Sequence, residues 1–266
     1  MKRIRIVGLC LVAMFAMSAL AATAAHAGEY GVCKKAEPKN TGNYSDKNCQ
    51  IKVGGTGGWE WYPAGSPQVP TPIAYTDSTK TAELVGAAGV IKCKKSTSSG
   101  AITGPKSDID VVRFTGCEFI GAVKGECHSA GEPAGNITTN VLNTKLIDHG
   151  EKGFSGGEPA EGEVWTEFYG PGGPETVQAE YECAKLLVIR TEGSLSGKYT
   201  KGSINVMSKK AETEFNGVLG ESPGKFGEQD LFSEASIGGG PFEPVGQGIE
   251  KTKGKTKNSV KLEIKS

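Results

Sequence analysis

In residues 258–265, NSVKLEIK, the apolar side chains of Val260, Leu262 and Ile264 alternate with Lys261, Glu263 and Lys265. An extended backbone therefore sets the first group on one face and the second on the other. This two-residue period constrains the chain more than any other feature, because it recurs. In 177–183, VQAEYEC, Val177, Ala179, Tyr181 and Cys183 share a face against Gln178, Glu180 and Glu182. Similar short runs stand at 89–95, 108–117, 136–147, 163–169, 186–191 and 203–207, each bounded by Gly, Pro, Asn or Ser. Long stretches of helical periodicity are absent, and glycine, at 39 of 266 residues, is about twice as frequent as usual. The pattern predicts an all-β chain: an antiparallel sandwich or open barrel of about a dozen short strands.

Four segments differ in texture. Residues 1–27 begin with Lys2, Arg3 and Arg5, continue through VGLCLVAMFAMSALAA and end on Ala25-His26-Ala27, the pattern of a secretory signal peptide cleaved after Ala27. Cys10 lies inside the apolar run after Leu9, which does not fit a lipidation site. Residues 28–65 read as a small cysteine-stapled N-terminal module. Residues 66–80, with Pro67, Pro70 and Pro72, read as a Pro-rich linker, and 81–266 as the main β domain. No later segment approaches eighteen consecutive apolar residues, so no membrane-spanning helix is expected.

Seven cysteines, less Cys10, leave Cys33, Cys49, Cys93, Cys117, Cys127 and Cys183. An even number in an exported chain points to disulfides. Cys93 and Cys183 each fall on the apolar face of their strand, which suggests the pair Cys93–Cys183. Cys33–Cys49 would then staple the module, and Cys117–Cys127 would close the turn between neighbouring strands. Without a C-x-x-C pair, and with only His128 and His149 after the leader, no metal site or other cofactor is expected. Lys and Arg total 30, as do Asp and Glu, so losing Lys2, Arg3 and Arg5 leaves a net charge of about −3. That balance offers nucleic acid no general attraction. The basic run KTKGKTKN at 251–258 reads as a solvated hairpin or edge strand.

The stretches IKCKKSTSSGAITGPKSDIDVVRFTGCEF (91–119) and GECHSAGEPAGNITTNVLNTKL (125–146), preceded by GEY, GNYSDKNC and WEWYPA, resemble a group of uncharacterised exported proteins of soil actinobacteria. The resemblance covers most of 28–207 and implies secretion and a β-rich, disulfide-containing fold. It brings no activity and no catalytic residue with it. Asn43 and Asn136 match a glycosylation acceptor pattern, a coincidence in a chain that resembles bacterial proteins.

GFSGG at 153–157 imitates a serine-protease motif. His26 leaves with the leader, and a hydrolase elbow needs its histidine after the serine, whereas His128 and His149 both precede Ser155. A His128, Asp148 and Ser155 set would be crowded into neighbouring segments rather than drawn from separated loops. The stretch reads as a surface loop. A hydrolase acting on polysaccharide through two carboxylates is the alternative function, but pairs such as Glu163 and Glu167, or Glu180 and Glu182, read as solvated faces. The remaining candidate is GGTGGWEWYPAG. If 58–62 is extended, Trp59 and Trp61 share one face, with Glu60 and Tyr62 on the other. Stacked indoles and a flanking carboxylate suit a sugar ring, while burial in the module's own small core is the competing reading. The expected function is that of a secreted, non-catalytic binding or surface-associated structural protein, its partner an extracellular or cell-wall polysaccharide.

Overall fold

The computed structural model describes residues 28–70, 72–86, 89–154, 157–216 and 230–266. The leader 1–27, Cys10 and Ser155 therefore lie outside the described residues. The described chain is all-β, with no helix and nineteen strand segments.

Eight antiparallel walls follow one another around a barrel. The first is β5 (Ile73–Thr79) continued by β6 (Ala82–Gly86), the second β7 (Gly89–Cys93) continued by β8 (Lys95–Ile102), and the third β9 (Ser107–Thr115) continued by β10 (Glu118–Gly121). The fourth runs through β11 (Lys124–His128), β12 (Asn136–Thr138) and β13 (Leu142–Asp148), and the fifth through β14 (Val164–Tyr169) and β15 (Ala179–Cys183). The sixth is β16 (Leu187–Lys201), the seventh β17 (Ser208–Asn216) with β18 (Asp230–Ile237), and the eighth β19 (Glu243–Lys265). β19 returns to pair with β5 at Thr256↔Asp77 and with β6 at Glu250↔Leu84, which closes the sheet on itself. Closure removes the exposed edges that an open sheet would present. β16 and β19 run the length of the barrel: β16 pairs with β18 over 187–194 and with β17 from Lys198. At 3.2–3.4 Å per residue, the fifteen residues of β16 reach about 50 Å.

Of the arrangements expected from alternation, the chain thus forms a barrel, and it closes. There are more segments than the expected dozen because the walls break. Lys94 interrupts the second, and Gly116 (φ 65°) with Cys117 the third. The run 203–207 is not a strand: Ser203 and Asn205 take positive φ and turn the chain between β16 and β17. KTKGKTKN is neither hairpin nor edge. It lies in β19 between β17 and β5, at the seam where the barrel closes.

β1 (Glu29–Lys35), β2 (Gly42–Tyr44), β3 (Lys52–Gly57) and β4 (Trp59–Pro63) form a second sheet. β1 pairs with the end of β19, Glu29↔Lys265 to Gly31↔Glu263, which seats this sheet over one end of the barrel. That contact explains why Glu263, expected to face water, is buried. Tyr30, Val32, Ala64 and Val69 join Ile73, Ile102, Leu146, Val164, Leu262 and Ile264 in one apolar cluster. Residues 66–80, expected as a linker, contain β5, a barrel wall paired on both sides with β8 and β19.

Cys33–Cys49 forms as expected. The other two bonds are Cys93–Cys117 and Cys127–Cys183, in place of Cys93–Cys183 and Cys117–Cys127. Cys93 and Cys183 point inward as expected, and Cys117 and Cys127 are buried with them, but wall adjacency selects the partners. Register pairs Lys92 with Glu118, which sets Cys93 beside Cys117, and pairs Cys127 directly with Cys183. Cys117 and Cys127 are neighbours too, the Cys127 N–H donating to the Cys117 carbonyl at 3.0 Å, yet their sulfurs bond to the walls on either side.

Candidate functional site in the barrel lumen

Along β9 the inward positions are Asp108, Asp110, Val112 and Phe114, and along β5 Tyr75 and Asp77. Ser98 on β8, Thr166 and Phe168 on β14, Leu195 and Tyr199 on β16 and Phe215 on β17 face the same space. They line a cavity of about 150 Å³, the size of engineered apolar cavities that take up benzene. Its middle is polar. Toward one end lies the cluster of Ile91, Phe119, Tyr181 and Ile189, and toward the other the cluster of Ile73, Ile102 and Ile264.

Two of the three aspartates are well supplied with donors. Asp108 receives the Tyr30 hydroxyl on Oδ2 at 2.8 Å and the Tyr75 hydroxyl on Oδ1 at 2.7 Å. The Tyr30 and Tyr199 hydroxyls stand 3.1 Å apart. Burial nevertheless raises the Asp108 carboxyl, with nearby Thr144 and the bonds from Tyr75 and Tyr30 opposing the rise. Burial, with Asp108 beside them, also holds the Tyr30 and Tyr75 phenols well above their ordinary range, so both remain donors. Asp77 accepts from Ser78 N–H and from Thr256 Oγ1, and burial raises it as well.

Asp110 differs. It is 4% exposed, and its Oδ1 has no hydrogen-bond partner among the described residues. Burial pushes its carboxyl up to about 7; Ser98 and the Val111 N–H oppose this, while Asp108 and Asp77 add repulsion. Ser98 lies close enough to favour the charged form, yet neither its Oγ nor Asp110 Oδ1 completes a well-formed bond. Thr166 Oγ1, two walls away on β14, is also buried without a partner among the described residues. Such atoms cost free energy unless something in the cavity satisfies them.

Two glycines give the polar layer its room. A Cβ on Gly100 would stand 2.5 Å from the Tyr75 hydroxyl, and one on Gly254 2.5 Å from Asp77 Oδ2. Gly254 belongs to KTKGKTKN: Lys253, Lys255 and Lys257 point out to solvent while Thr252, Gly254, Thr256 and Asn258 face the lumen. The chemistry of that run is thus on its uncharged side.

The residues singled out in GGTGGWEWYPAG do not form one open surface. Trp61 is buried with Tyr44, Cys49 and Met207, and Lys265 Nζ covers its ring at 3.8 Å. Trp59 is half-buried against the same cluster. Glu60 accepts from the Asn43 N–H and side-chain amide at 2.8 and 2.9 Å, and Tyr62 packs on the cluster shared with the barrel. Asp148 is buried near Lys106, 3.7 Å away. Glu180 is exposed and pairs with Arg190. Glu167, expected to be solvated, is fully buried and accepts the Phe154 N–H beside Gly153. No group of His, Cys, Asp and Glu suited to a metal ion occurs among the described residues. No helix among them is long and apolar enough to cross a membrane.

The fold and site together define a closed, up-and-down antiparallel barrel with a polar layer inside its core. Comparison with protein-family models, with curated proteins and with solved structures finds no match to this chain.

Proposed function

We propose that this protein is an exported, non-catalytic binding protein whose barrel lumen receives a small ligand. The observation that carries this reading is the lumen cavity of about 150 Å³ with buried polar atoms left without partners among the described residues. A site of this kind, mostly apolar with a few polar groups, is what small-molecule recognition requires. Export, with cleavage after Ala27, rests on the leader sequence; it agrees with the resemblance to exported actinobacterial proteins and with three disulfides, which persist in oxidising compartments. In this reading the ligand is far smaller than the extracellular polysaccharide the Trp59–Tyr62 stretch suggested. The alternative, a hydrolase with paired carboxylates, draws on Asp108 and Asp110, two residues apart on one strand face. Both oxygens of Asp108 are held by tyrosines, which suits a fixed acceptor better than a nucleophile or base.

The test is a thermal-shift screen of the mature protein against small molecules and soluble cell-wall polysaccharides, with product release followed in parallel. Stabilisation by a small molecule, lost in Ala211→Leu, which narrows the lumen, is the expected outcome. Stabilisation by polysaccharide alone, or release of sugar, would replace this reading.

A further inference from the structure

Three aspartates, Asp77, Asp108 and Asp110, line the cavity, and no Lys, Arg or His is found among the described lining residues. A lining with buried carboxylates and no cation is electrostatically incomplete, because buried charge is tolerated when paired or neutralised. Asp108 and Asp77 are held by hydroxyl and backbone donors, so the unmet demand falls on Asp110 Oδ1, with Ser98 Oγ and Thr166 Oγ1 facing the same space. Beyond them the wall is aromatic and aliphatic: Phe114, Phe168, Phe215 and Leu195. The Phe168 and Phe215 rings lie 5.7 Å apart, centroid to centroid.

Building on the lumen-binding reading, we infer that the ligand is a small organic monocation, an ammonium group carrying a compact apolar body, with the ammonium donating to Asp110 and the body against the phenylalanines. An ammonium offers three donors and no acceptor, which matches an open carboxylate oxygen and two hydroxyls able to accept. Ring faces favour a cation as well as an apolar body. The volume limits the body to about the size of one benzene ring. A bare metal ion fits less well, since the carboxylates do not converge as a ligand group among the described residues.

The groups facing Asp110 are Asp108 on its own strand, Asp77 and Tyr75 on β5, Ser98 on β8 and Tyr199 on β16, none of them basic. Protonation of Asp110 therefore removes the charge that the cation meets, and affinity for the cation falls as pH drops below about 7.

The experiment is calorimetric titration of the mature protein at pH 8 with benzylammonium, benzyl alcohol and benzoate, repeated for Asp110→Asn. Benzylammonium is expected to bind about tenfold or more tightly than benzyl alcohol, with benzoate weakest. Asp110→Asn is expected to abolish that preference while benzyl alcohol still binds, which also reports that the variant is folded. Equal affinity for the ammonium and the alcohol, or an ammonium preference that survives Asp110→Asn, overturns the cation inference and leaves lumen binding standing. If none of the three probes binds, the lumen reading falls and the inference with it. Should Asp110→Asn not fold, the order of the three probes on the unaltered protein decides alone.

Discussion

Asp110 concentrates the tension between folding and function. Its carboxyl titrates near 7 in the fold, chiefly because of burial, against about 3.9 in an unfolded chain. The sign follows from linkage: below about pH 4 both states are protonated and the fold keeps its full stability. As pH rises from about 4 to about 7, the unfolded chain releases its proton first, and stability falls. The difference corresponds to about 4 kcal/mol at most, since local relaxation lessens the penalty on a real buried carboxylate. Asp110→Asn removes the charge at nearly constant volume. It is expected to raise the Tm of the ligand-free protein at pH 8 and to leave it almost unchanged at pH 4. A Tm lowered equally at both pH values would mark Asp110 as a structural acceptor instead.

At the level of elements, the disulfides tie neighbouring walls rather than distant ones. Cys127–Cys183 joins the fourth wall to the fifth across 56 positions of sequence, and Cys93–Cys117 joins the second to the third across 24. In the chain-entropy account these contribute about 4 and 3.5 kcal/mol, with about 3 for Cys33–Cys49. All four barrel cysteines belong to one buried cluster, so the row of sulfurs also fills the core at that end. Replacing Cys127 and Cys183 together by Ala is expected to lower stability by about 4 kcal/mol in urea unfolding, more than the same change at Cys33 and Cys49. Non-reducing peptide mapping should recover Cys93 linked to Cys117. A Cys93–Cys183 peptide would sink both the pairing and the wall order that implies it.

For the molecule as a whole, the N-terminal sheet is structurally part of the barrel. Tyr30 reaches from β1 to Asp108, and Tyr30, Val32, Ala64 and Val69 complete the cluster at that end. Sharing a core in this way couples the two sheets, and coupled cores unfold together. Calorimetry is expected to give a single cooperative transition, and a version beginning at Pro72 is expected to lose many degrees of Tm. Two separated transitions in the intact protein would mean that residues 28–65 fold as an independent unit. On the outside of the closing seam, Lys253 lies 3.4 Å from Glu214 and 4.0 Å from Glu212. These exposed pairs keep that wall wet and contribute little to stability.

Local patterning was sufficient for the all-β class, the antiparallel alternation, the use of all six later cysteines in disulfides and the Cys33–Cys49 staple. Each of these depends on a period of two or on residues close in sequence. It could not assign the rest, because a two-residue period defines two faces without saying what covers each. Asp108 and Asp110 share a face with Val112 and Phe114, and only closure of the barrel turns that face into a lumen. Lys253 and Gly254 sit on opposite sides of one wall for the same reason, so a stretch read by its charges contributes through its Thr and Gly. Trp61 is buried because β1 and Lys265 close over it. The cysteine partners followed the order of walls, which pairing between strands up to 56 residues apart establishes and no local pattern encodes. Tertiary structure alone decided which side chains share a desolvated space, and desolvation is what gives Asp110 its raised pKa and its open acceptor.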